Sequence, residues 1–143
     1  MKKFLEKHRR ALGFLFWVWF LFIHIITVIP DLQAPKTTIK LELFRPDYLF
    51  HFFAYFGMSF LFIAWYMNPL PERRFLRNLG WLLAGLTLCL IAEISQLWIP
   101  GRSYNTIDLV YNSSGLITGY LFTHWFIFRF LNRRKSPHDL PGT

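Results

Sequence analysis

A chain of 143 residues in which 54% are apolar and 17 are Phe carries more apolar side chain than the interior of a soluble domain of that length can hold. The excess lies in long runs, which excludes an ordinary soluble domain and points to a helical membrane protein. The net charge of +8 falls between those runs, so it reads as topology control and not as a nucleic-acid surface, and the single cysteine excludes an intrachain disulfide or a cysteine-based zinc site.

Met1 to Arg10 is basic. Ala11 to Ile29 then carries no formal charge and measures about 28 Å as a helix, enough to cross a hydrocarbon core. A cleaved signal peptide has a shorter apolar region of about 7–15 residues, so this run is read as a span. Pro30 to Asp47 is a mixed loop broken by Pro30, Pro35 and Pro46, with a weak alternation over Thr38 to Phe44 that suits a short strand or an interfacial segment. The second span follows at about 48–67 and stops at Asn68-Pro69-Leu70-Pro71. The third, at about 79–99, contains Glu93 and ends at Pro100-Gly101. Cys89, inside it, reads as a small packing residue. The fourth runs over about 109–130, and 136–143 reads as a flexible tail. The expected fold is therefore a single all-α membrane domain over 1–143, a bundle of four transmembrane helices.

Orientation follows from the basic residues. Lys2, Lys3, Lys7, Arg9 and Arg10, then Arg73, Arg74 and Arg77, then Arg129, Arg133, Arg134 and Lys135 make 12 of the 16 Lys and Arg. All twelve fall on one side of the expected membrane. The positive-inside rule makes that side the cytoplasm, with both termini in it.

That topology gives each polar residue a depth. Asp47, His51 and Tyr55 are spaced i, i+4, i+8 along one face of the second helix. Glu93 and Gln96 share a face of the third. Asp108, Asn112, Gly115 and Gly119 form one stripe down the fourth, and His24 sits near the outer end of the first. His24, Asp47, His51, Glu93, Gln96, Asp108 and Asn112 fall within about 10 Å of the outer surface at about 1.5 Å per residue, whereas the inner half offers chiefly His124 beside Thr123. Convergence on one depth predicts an outward-opening polar pocket, because ionisable groups inside a membrane usually face the bundle interior or a water-filled cavity. Gly115 and Gly119 form a small-xxx-small motif that admits another helix closely.

At these residues the chain resembles the VanZ-like family of small bacterial membrane proteins. The likeness is carried by Asp47, His51 and Tyr55 in DYLFHFFAY, by Glu93 and Gln96 in EISQ, by Pro100-Gly101-Arg102, by Asp108, Asn112 and Gly115 in DLVYNSSG, and by Gly119. The chain departs from the family at Tyr48, where a basic residue is common. The resemblance implies a four-helix integral membrane protein of the cell envelope. For the family's namesake it also implies a link to glycopeptide resistance, specifically to teicoplanin.

Three functions are compatible with these residues. The first is binding of an anionic envelope lipid, a cell-wall precursor or a lipoglycopeptide antibiotic by Arg102, Gln96, Asn112, Asp47 and Tyr55, with Arg102 supplying bidentate hydrogen bonds to phosphate or carboxylate. The second is a membrane-embedded hydrolase or transferase on a lipid-linked phosphate, with Glu93, His51 and Asp108 as acid, base and orienting group. The third is a small lipid transporter, which four helices would form only as a homo-oligomer. Each acid has a structural alternative: Glu93 as one half of an ion pair, Asp47 and Asp108 as helix N-caps. No GxSxG elbow surrounds a serine, and neither HExxH nor a cysteine cluster points to a metal. The expected partners are the bilayer and an envelope ligand, without nucleic acid and without a cofactor.

Overall fold

The computed structural model describes residues 7–28, 46–66, 75–100 and 104–132. They form four helices and a short turn: α1 (Arg9–Val28), α2 (Pro46–Tyr66), α3 (Phe75–Ser95), a 3-10 turn over Gln96–Trp98, and α4 (Thr106–Asn132). No strand occurs among the described residues. The alternating stretch at 38–44, the turn arginine Arg102 and the tail at 136–143 lie outside them.

Local chemistry explains where the helices begin and end. Pro46 occupies the first position of α2, where its missing N–H costs nothing and its fixed φ suits the helix. Asn105 caps α4: its Oδ1 accepts the Ile107 N–H at 3.0 Å. The cap role expected of Asp108 is therefore filled by Asn105. Asp47 lies inside the first turn of α2, where a carboxylate favours the helix dipole. At the far end of α3 the chain tightens into the 3-10 turn, in which the Ile99 N–H donates to the Gln96 carbonyl, and Pro100 follows.

Three helical stretches, Arg9–Thr27, Pro46–Tyr66 and Leu79–Trp98, are long and apolar enough to cross a membrane. Expected as a fourth span, α4 is the longest helix at 27 residues but falls short on mean hydropathy. The reason is its two-sidedness. Asp108, Asn112, Gly115, Gly119 and Thr123 are buried, while Val110, Leu121 and Trp125 face outward. Most large exposed side chains along the helices are apolar, while Glu93, Gln96, Asp108 and Asn112 are buried, the arrangement a hydrocarbon solvent selects.

The tightest packing joins α2 and α4. A Cβ on Gly115 would run into the Phe52 carbonyl oxygen, and one on Gly119 would come within 2.6 Å of the Phe56 carbonyl oxygen. The small-xxx-small stripe is thus filled by the backbone of α2. On the other flank of α2, the Trp19 indole N–H of α1 donates to the Ala54 carbonyl at 2.9 Å and the ring lies over Gly57. On the other flank of α4, Leu116 packs against Gly85 of α3. The lateral order is α1, α2, α4, α3. Phe16, Ile23, Ala54, Tyr55, Met58, Cys89 and Leu116 form the shared core, with Cys89 fully buried as a small packing residue.

Candidate functional site

Asn112 joins residues from three helices. Its Nδ2 donates to Glu93 Oε1 at 3.0 Å. Its Oδ1 lies 3.0 Å from His51 Nδ1. A carbonyl oxygen only accepts, so the hydrogen of that bond sits on Nδ1. The ring then points Nε2 at Asp108, whose Oδ2 is 3.9 Å away, an ion-pair distance when the imidazole is protonated. Both ring nitrogens of His51 are oriented by α4, which presents Asp108 and Asn112 one turn apart. Exposure is 1% for Glu93 and Asn112, 2% for Gln96 and 3% for Asp108, so these groups meet inside the bundle.

Gln96 sits one turn beyond Glu93, in the 3-10 turn. Among the described residues neither its Nε2 nor its Oε1 has a hydrogen-bond partner. A primary amide so placed offers both a donor and an acceptor to a ligand. Tyr55 lies one turn along α2 from His51, in the core with Cys89, and its buried hydroxyl likewise has no partner among the described residues.

The structure therefore brings together Glu93, His51, Asp108 and Asn112. Gln96 and Tyr55 stand at neighbouring positions on their helices, and Asp47 is half-buried one turn before His51. His24 is engaged elsewhere: its Nδ1 lies 2.7 Å from the Phe20 carbonyl oxygen of its own helix. Ser95 and Ser114 donate to carbonyls of their own helices. Among the described residues no group of three or more His, Cys, Asp or Glu converges as metal ligands.

A family model described as VanZ/LLP1 matches residues 11–129. The chain belongs to the VanZ/LLP1 family. No curated protein and no solved structure matches it. The family match runs from the first turn of α1 to the last turn of α4, and His51, Glu93, Asp108 and Asn112 fall within that range. In this VanZ/LLP1 chain Tyr48 is buried and stacks on Tyr111 of α4, with centroids 5.2 Å apart and planes 23° apart. Sequence reasoning missed this pair and the Trp19–Ala54 bond. Gly57, a helical glycine with an indole over it, was the available signal for the second.

Proposed function

We propose that the protein binds the polar headgroup of an envelope amphiphile at the Gln96 end of the bundle: an anionic lipid, a cell-wall precursor or a lipoglycopeptide antibiotic. The observation that carries this reading is the Gln96 carboxamide, buried beside the His51–Asn112–Glu93 link with neither its donor nor its acceptor used by a described residue. Arg102, six residues further on, supplies the anion contact. Family membership supports an envelope setting with glycopeptide tolerance as the phenotype to measure. By charge bias, both termini face the cytoplasm of the inner membrane and the Gln96 end faces out. Photo-crosslinking with a headgroup-labelled anionic phospholipid tests the reading. Labelling should fall in Gln96→Leu and in Arg102→Ala, and equal labelling of wild type and both variants would overturn it.

An imidazole held at Nδ1 by Asn112 and facing Asp108 at Nε2 favours a second reading, a hydrolase or transferase on a lipid-linked phosphate. His51 acts as general base there, positioned by Asn112 and facing Asp108, with Glu93 completing the chain. Glu93→Gln keeps the size of the side chain and removes its charge. Under this reading it abolishes turnover while the protein stays folded. Full retention of the envelope phenotype in Glu93→Gln would sink it.

A further inference from the structure

A cavity of about 340 Å³ lies beyond the polar cluster, toward the opposite end of the bundle. Met58 and Leu116, from the central α2–α4 pair, form its floor. Phe16 and Phe20 of α1 form one wall, and Leu82 and Gly85 of α3 the other. Trp17 and Trp81, at its rim, are 51% and 44% exposed, so its mouth opens between α1 and α3 onto the face that meets lipid. Along α2 it extends from Met58 to Tyr66, about 12 Å of helix rise. It begins at Leu116, only one turn along α4 from Asn112.

Size and chemistry select the occupant. An apolar space of this kind does not hold water, and leaving it empty forfeits the dispersion contacts of its lining. A helix from a second copy, about 10–12 Å across, is the alternative occupant, and it would exclude lipid adducts from the lining. A flexible hydrocarbon chain fits, and the surrounding hydrocarbon supplies one. We propose that this cavity holds one acyl chain of the amphiphile whose headgroup is bound at Gln96. The chain site rests on the cavity, and its link to a headgroup rests on the reading above.

The test uses the full-length protein in phosphatidylcholine bilayers containing a minor fraction of phosphatidylglycerol with a diazirine on its acyl chain. Photolysis and peptide mapping should place adducts on Met58–Tyr66 and Trp81–Leu88 in excess of the outward face at Leu121 and Trp125. Ala84→Trp, at an exposed position on the cavity lining, should lower the cavity adducts about tenfold or more while leaving the outward face unchanged. Leu88→Trp, at a second exposed position on the lining, blocks the same space, so agreement between the two guards against a folding defect in either. Adducts spread evenly over both faces, or cavity labelling unchanged in Ala84→Trp, would each overturn the proposal. A phosphatidylcholine carrying the same acyl diazirine separates the two readings. Cavity adducts of equal yield from both lipids would overturn the headgroup reading alone. Cavity adducts from neither would overturn the acyl-chain site.

Discussion

Asn112 holds the cluster together because a carboxamide offers a donor and an acceptor on one rigid group. It satisfies a carboxylate and an imidazole from different helices without adding a charge to the interior. Asn112→Leu keeps the approximate shape and removes both bonds, and its expected cost is about 2–4 kcal/mol. Thermal unfolding of the purified protein in detergent measures this, and an unchanged Tm would show that the link adds nothing to stability. Part of the cluster was legible in the sequence, since Glu93, His51, Asp108 and Asn112 all fall at one depth. The central place of Asn112 was not. Spacing locates a side chain along its helix and around it, but which residue faces which depends on how neighbouring helices are rotated.

At the scale of elements, α2 and α4 form the central pair on which the other two helices are set. The two glycines of α4 admit the α2 backbone so closely that any side chain there must push the helices apart. Gly115→Ala is expected to destabilise by about 3 kcal/mol or more, at the upper end of overpacking costs, because the obstacle is backbone and cannot rotate away. Gly80→Ala is the control: a Cβ there meets nothing within 4 Å. That substitution should be neutral or stabilising by up to about 1 kcal/mol through helix propensity. Denaturation of both variants side by side checks the pair, and a Gly115→Ala protein as stable as Gly80→Ala would contradict the packing described here. On the opposite flank, Trp19→Phe removes one indole hydrogen bond between α1 and α2 and should cost about 1 kcal/mol. The small-xxx-small stripe announced a close neighbour in advance. That the neighbour is α2, the helix before the preceding one in the chain, is a matter of lateral order, which no local spacing encodes.

At the scale of the whole molecule the open question is orientation, and Cys89 makes it tractable. Because Cys89 is fully buried, the native protein should not react with a membrane-impermeant maleimide. A single cysteine added at Gln33 should label in intact cells, and one added at Ser136 only after lysis. The reverse pattern would turn the Gln96 end toward the cytoplasm and remove the outer leaflet as the source of its ligand. The same lateral order that makes α2 and α4 central leaves α1 and α3 as flanks, and that separation creates the apolar cavity between them.

The sequence by itself determined the class, the four helices to within a few residues, and the shared depth of the polar groups. These depend on local quantities, namely the length of an apolar run, the rise per residue and the breaks at Pro and Gly. Only the tertiary structure decided that Asn105 caps α4, freeing Asp108 to face His51, that Tyr48 stacks on Tyr111, and that His24 is engaged by its own helix. It also decided that the polar groups close on one another while the large apolar space forms toward the opposite end. The Asn105 cap and the His24 contact are local to their own helices, whereas the contacts between helices depend on the rotation and neighbour order of packed helices. Those are set by the fit of whole surfaces, the glycine stripe of α4 against the backbone of α2 above all, and not by any single stretch of chain.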